Sequence, residues 1–257
     1  MKKMLVIVLL GLSFSTVVFA QKTKLVFNTQ EFSPFNYSLN GKAAGPAVDI
    51  INEICRQINL ECSYNVLPWN KAQKMVKKGG ADALFVVGKN KQREKWLNFS
   101  LPIMKTEYGF FVLNSDDLDY QRVTDMQGYH VGVFGPSNTS LSLKAIDKKL
   151  RNKRLKSMAI TVLSDDVPVF KQLSQGNKLQ AVYSNKDVGN GIIKDNKLSN
   201  LKYVGKHKEL DYHIAFSKKT VSSETVTKFN EALMNMYKAN RLKEILTQYN
   251  LEQAVIK

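Results

Sequence analysis

The feature that most constrains this chain is a repeated alternation: from residue 25 onward, short apolar runs are followed by segments whose apolar residues recur at helical spacing. LVFNT (25–29) reads as a first strand, and QEFSPFNYSLNGKAAG as a long loop rich in turn residues. From Pro46, the positions Val48, Ile51, Ile54, Cys55 and Ile58 share one helical face. CSYNVLP alternates like a strand. Pro68 then stands at a favoured helix start, Ala72, Met75 and Val76 share a face, and Gly79-Gly80 ends the helix. ADALFVV is nearly continuous in apolar residues, as expected of a strand covered on both faces, and EYGFFVLNS follows as another strand. After Ser115-Asp116-Asp117 the alternation restarts. MQGYHVGVF ends in a strand, GPSNTS is a polar turn, LSLKAIDKKL a helix and AITVLS a strand. A short helix (167–173), the strand LQAVYS, a helix (186–193) and the strands LKYVG and YHIAFSK come next. The last helix lines up Val226, Phe229, Leu233, Met236 and Tyr237 as a core stripe. The expectation is an α/β protein with mainly parallel sheets, uninterrupted by repeats, low-complexity tracts or linkers.

The first residues follow a different pattern. MKKMLVIVLLGLSFSTVVFAQK joins two lysines, an apolar run over Leu5–Phe14 and a small-residue exit at Val18-Phe19-Ala20. This is the three-part layout of a secretory signal peptide, with cleavage expected between Ala20 and Gln21. The run is shorter than the ~20 apolar residues of a spanning helix, and no cysteine follows the cut to carry a lipid. The mature chain, 21–257, is therefore expected as a free monomer in the periplasm. Its size suits one large domain or two lobes.

Charge narrows the partners. The chain carries a formal charge of +16, yet only six of its 38 basic residues are arginine: Arg56, Arg93, Arg122, Arg151, Arg154 and Arg241. The lysines are scattered, without an arginine-rich stripe or RNP-type motif, so the expectation is no nucleic acid but a solvated basic surface that also attracts anions. Cys55 and Cys62 are the only cysteines, and an exported chain with two cysteines reads as one disulfide; a redox pair would favour C-x-x-C spacing. His130, His207 and His213 show no ligand spacing with the cysteines. No metal, no cofactor and no catalytic residue is expected, because G-x-S-x-G and Ser/His/Asp patterns are missing as well.

Parallel sheets bind ligands beyond the carboxyl ends of their strands. That rule selects the loop around Phe32, the turn at Trp69, the segment from Val86 to Arg93, and GPSNTS. These segments also carry a resemblance. FSPFNYSLNGKAAGPAVDIINEI, GGADALFVVGKNKQREKWLNFSLPI, VGVFGPSNTS, YHIAFSKK and KANRLKEILTQY, in that order, resemble family 3 extracellular solute-binding proteins of ABC transporters. EICRQINLEC is similar to a disulfide segment of the basic and histidine-binding members.

The resemblance implies a two-lobed type II periplasmic binding fold, each lobe a mainly parallel sheet flanked by helices, joined by two crossover hinge strands. Lobe one would comprise 21–113 and 208–257, and lobe two 114–207. It also implies a small-molecule ligand, anionic or amino-acid-like, delivered to an ABC transporter membrane permease. By position, Phe32 would stack on the ligand, Trp69 would line the pocket, and Arg93 would grip a carboxylate in a bidentate geometry that lysine does not reproduce. Ser137 and Asn138 would face the ligand from a helix N-terminus. Two departures stand out: Val86, Val87 and Gly88 replace the family's hydroxyl residues after the DAL-type strand, and Asn185 replaces an ammonium-binding aspartate. Val87 and Asn185 are still expected at the ligand, and a standard α-amino acid becomes doubtful. Two rivals share this scaffold: an exported dehydratase-like enzyme, which needs a general acid in the cleft, and a ligand-sensing receptor subunit.

Overall fold

The computed structural model describes residues 24–176 and 178–256; the expected signal segment, 1–20, lies outside the described residues. The chain runs β1 (Lys24–Thr29), β2 (Tyr37–Leu39), β3 (Lys42–Ala44), α1 (Pro46–Gln57), β4 (Glu61–Val66), α2 (Trp69–Lys78), β5 (Ala83–Gly88), α3 (Lys91–Glu94), β6 (Leu97–Phe99) and β7 (Met104–Leu113). It continues through β8 (His130–Phe134), α4 (Asn138–Asn152), β9 (Ala159–Leu163), α5 (Asp166–Ser174), β10 (Ala181–Asn185) and α6 (Lys186–Asp195). It ends with β11 (Leu201–Ser217), α7 (Ser223–Lys238), α8 (Arg241–Thr247) and β12 (Glu252–Gln253).

Ten strands form one sheet in the order β4-β1-β5-β11-β7-β10-β8-β9, with β6 added to β11 and β12 to β7. Its two ends are parallel: β1 lies between β4 and β5, and β8 between β9 and β10. The antiparallel pair β7 and β11 joins them. The fold is thus the two-lobed α/β arrangement expected, with two strands crossing between the halves. The expected division at 113/114 falls at the end of β7, whereas the strand changes company earlier: Met104 and Lys105 pair with β12, and Tyr108 to Phe111 with β10.

Covered strands explain the apolar runs. Every residue of β5 is buried, because helices lie on both faces. On one side α1 and α7, the latter through Phe229, close over Phe27 and Phe216; on the other, α2 sets Ala72 and Val76 against Leu84 and Ala215. In the second half α4 covers Val131, Val133 and Tyr183. The disulfide forms as expected, tying Cys55 in the last turn of α1 to Cys62 at the start of β4. The stripe of α7 is core at Val226, Phe229, Leu233 and Met236, with Tyr237 half-buried beside it.

Two elements differ from expectation. YSLNGKAA is a hairpin, β2 and β3, whose Asn40 (φ 52°) and Gly41 (φ 75°) supply the left-handed turn that matches strand twist. LKYVG and YHIAFSK are one strand of 17 residues, β11. The polar stretch KHKELD between them carries no alternation of apolar residues because it spans the gap between two hydrophobic cores. There the ladder against β7 slips, between Tyr203 and Gly205 and again between Lys206 and Lys208.

Candidate functional site

Three strand ends and two helix starts meet between the halves of the sheet. β1 ends at Thr29, β5 at Gly88 and β8 at Phe134, while α2 begins at Trp69 and α4 at Asn138. They enclose a small inner chamber of about 30 Å³ that Phe32, Trp69, Arg93, Ser137 and Asn138 all line. Five of the seven residues expected at a ligand are thereby brought to one cleft. Trp69 and Phe134 also border a wider outer space, whose far wall holds Asp165 and Asp166.

Arg93 sits on the short helix α3, which Asn90 starts by accepting the Arg93 backbone N–H through its side chain (2.9 Å). The residue is 8% exposed. Its Nη1 donates to the Gly88 carbonyl (2.8 Å), its Nη2 reaches Gln73 Oε1 (3.4 Å), and the guanidinium lies 5.2 Å from the Trp69 ring centroid. Two acids close to it in the sequence are engaged elsewhere: Glu94 pairs with Lys89 (3.2 Å) and Asp82 accepts the Val26 N–H (2.9 Å). No carboxylate forms a salt bridge with Arg93 among the described residues. Burial pulls its pKa down, opposed by Tyr108 and Tyr212. A desolvated cation with neutral partners is costly, and an arriving carboxylate relieves that cost.

Asn138 reaches across the cleft. Its Nδ2 donates to the Gly88 carbonyl (2.9 Å), and its Oδ1 accepts from Asn90 Nδ2. A Cβ at Gly88 would lie 2.6 Å from Asn138 Nδ2, so any larger residue here would displace that amide. Ser137 caps α4: its Oγ accepts the Ser140 N–H (3.0 Å) and donates to the Phe134 carbonyl (2.7 Å). The positive end of the α4 dipole therefore faces the chamber, although the Ser137 hydroxyl itself is committed. Phe32 stacks edge-on with Tyr212, centroids 5.8 Å apart.

Val87 and Asn185 do not line the chamber. Opposite β11, His213 pairs with Val87 and Ile214 with Phe85, so Val86 is an inserted residue with φ 56°. The bulge turns Val87 into the core beneath α2 and leaves Val86 at the chamber wall. Such a conformation costs a β-branched residue about 1–2 kcal/mol. Asn185 is 1% exposed and caps α6, and its Nδ2 donates to Thr106 Oγ1 and Tyr212 Oη.

Tyr108, Thr139 and Tyr212 line the chamber without having been expected there. Both tyrosines are 2% exposed, and burial raises both phenol pKa values. Their sequence context, EYGFF and YHIAF, reads as ordinary strand core. Among the described residues, no group of His, Cys, Asp and Glu is arranged to hold a metal ion, and no helix is long and apolar enough to cross a membrane.

The family model of bacterial extracellular solute-binding proteins, family 3, matches residues 25–252. An arginine-binding periplasmic protein of Mannheimia haemolytica is 25% identical over 182 residues, covering 65% of this chain and 73% of that protein. A histidine kinase sensor domain with similarity to periplasmic binding proteins superposes with a TM-score of 0.79 at 17% identity, covering 91% of this chain and 99% of its own. The arginine-, lysine-, histidine-binding protein ArtJ from Geobacillus stearothermophilus gives a TM-score of 0.74 at 22% identity, with coverage of 88% and 95%. At these identities the structural likeness establishes the fold alone.

Proposed function

The chain belongs to the bacterial extracellular solute-binding proteins of family 3, and from that premise we propose that it captures a small carboxylate-bearing solute in the chamber around Arg93. The carboxylate is held by the guanidinium, Phe32 and Trp69 flank the body of the solute, and Asn138 with the start of α4 approaches from the second lobe. β7 and β11 act as the hinge, flexing where their ladder slips. Exported to the periplasm as a monomer, the protein hands its solute to an ABC transporter membrane permease and performs no chemistry on it.

One observation carries this reading: a nearly fully buried guanidinium on the cleft wall, with only neutral groups beside it. The other residues lining the chamber carry no formal charge, so the binding site as a whole is complementary to an anion. Thermal-shift screening of a library of organic acids, amino acids and sugars is the test. A solute at ~100 times its Kd adds roughly 2.7 kcal/mol of stability. Carboxylates are expected to dominate the hits, and Arg93→Ala to lose them. Hits among uncharged sugars that survive Arg93→Ala would overturn the reading.

A further inference from the structure

A second opening lies beyond the Asn138–Gly88 contact, against the crossing strand β11. It is a groove of about 760 Å³ whose walls come from both halves: Lys89 and Asn90 after β5, one face of α4, and β11 between His207 and His213. The face of α4 is continuous, since Asn138, Leu141, Ser142, Ala145 and Lys149 recur at helical spacing.

One end of the groove is cationic. The slip of the ladder between Lys206 and Lys208 makes His207 an inserted residue. His207 and Lys208, which a regular strand would send to opposite faces, therefore both line the groove. Lys208 Nζ stands 5.3 Å from the centroid of the Tyr108 ring. His207 is held at Nδ1, 2.7 Å from the hydroxyl of buried Tyr183, which in turn lies 2.9 Å from Ser142 Oγ. Its Nε2 makes no hydrogen bond among the described residues. Lys149 lines the groove from the last turn of α4. On the crossing strands, Lys105 and Lys206 both pair with Glu209 (3.2 and 2.7 Å), but Lys149 and Lys208 form no salt bridge among the described residues. Asp211, the acid on the groove wall, lies three residues past Lys208, about 10 Å along the strand.

The rest of the wall is largely apolar: Leu141 is 59% exposed, and Ala145 and Leu210 line the same space. Such a lining suits a ligand with an apolar body and a charged head. Two ammonium groups and an imidazole match a dianion with several acceptor oxygens better than a singly charged carboxylate.

We infer that this groove is a second binding site, taking an organic phosphate whose phosphoryl group lies among Lys149, Lys208 and His207 and whose apolar body rests on Leu141. The site does not depend on the proposed carboxylate site at Arg93, although Gly88, Tyr108 and Asn138 line both spaces. A ligand held there touches both halves and a strand that joins them.

The experiment is calorimetric titration of the full mature chain with phenyl phosphate, inorganic phosphate, benzoate and phenol at about 0.15 M salt, where loose surface attraction is screened. Each titration is repeated on Arg93→Ala, which removes the chamber's own hold on anions. Phenyl phosphate is expected to bind at least about tenfold more tightly than the other three compounds in both proteins. Lys149→Ala with Lys208→Ala is expected to weaken it at least about tenfold, and Leu141→Asp to act in the same direction. All three positions are exposed, so these variants keep the fold. Lys144→Ala with Lys148→Ala, exposed lysines of α4 that do not line the groove, should leave binding within about twofold. A lipid headgroup and a free solute share this chemistry. Flotation with phosphatidic acid vesicles, abolished by the Lys149 and Lys208 substitutions, would assign a headgroup; calorimetric binding without flotation would assign a free solute. Equal losses in the two lysine pairs would reduce the effect to the general charge of the surface, and binding abolished by Arg93→Ala alone would place the phosphate in the chamber. Either result, or no binding of phenyl phosphate, would overturn the inference.

Discussion

Asn138 and Gly88 belong to opposite halves of the molecule, and the amide of one donates to the carbonyl of the other over 2.9 Å. The same carbonyl takes Nη1 of Arg93 over 2.8 Å. One oxygen thus links the contact between lobes to the group expected to hold the solute.

Asn138→Ala removes the bond to Gly88 and the bond with Asn90, each worth about 0.5–1.5 kcal/mol. The closed arrangement should lose population by about tenfold, read as an increased radius of gyration by small-angle scattering and weaker solute binding. Gly88→Ala should act in the same direction through steric overlap with the Asn138 amide. Unchanged scattering in both variants would mean that the contact does not hold the lobes together.

Arg93→Lys keeps the charge but loses the fork. Lysine has a single nitrogen to share between the Gly88 carbonyl and a carboxylate, and it does not lie flat against Trp69. Affinity for the solute found by screening should fall at least tenfold by titration calorimetry, consistent with a charge-assisted bond of about 1.5–3 kcal/mol. Full retention of affinity would show that the guanidinium geometry is irrelevant.

The Cys55–Cys62 link lies at the far end of α1, away from the chamber. Closing so short a loop contributes about 2.5 kcal/mol in the chain-entropy model. Cys55→Ser with Cys62→Ser should therefore lower Tm by about 5–10 °C while leaving solute affinity within twofold. The same drop should follow addition of reductant to the wild type; a Tm indifferent to reductant would contradict it.

Two half-buried groups pull the pH profile of stability in opposite directions. Burial pushes the Asp166 carboxyl up to about 7, with Asp165 adding to the rise and the Ser184 hydrogen bond opposing it. Since the unfolded chain releases this proton near 4, stability should fall as pH rises from about 4 to about 7. Burial, with Lys208 and Lys149 nearby, pushes His207 down to about 4, so the unfolded chain takes up its proton first, near 6.5. That contribution is present above pH 6.5 and lost as pH falls toward 4. Asp166→Asn should raise Tm at pH 8 more than at pH 5, and His207→Gln should flatten the acid side. Parallel Tm curves for variants and wild type would refute both assignments.

Most of the framework was legible because burial leaves a periodic trace. β5 and α7 show it directly, since one is covered on both faces and the other on a single stripe. The cleft was legible at Phe32, Trp69, Arg93, Ser137 and Asn138 because strand ends and helix starts can be located by pattern. What was lost depended on local geometry that leaves no pattern. A bulge at Val86 reversed the facing of Val87. Sequence alone leaves Asn185 open between a helix cap and a pocket contact, because both call for the same polar side chain. Tyr108 and Tyr212 passed as core because a phenol aimed at a cavity and one aimed at a neighbour look identical in a strand. β11 was split in two because its middle residues bridge a gap and bury little.

The cap at α6 has a wider implication. Asn185 gives its oxygen to the first turn of α6 and its nitrogen to Thr106 on β7 and Tyr212 on β11. One side chain thus fastens a helix start of the second half to both strands that cross between the halves. A substitution that preserved the cap but lost the amide nitrogen would loosen that crossing without altering any residue that lines the cleft.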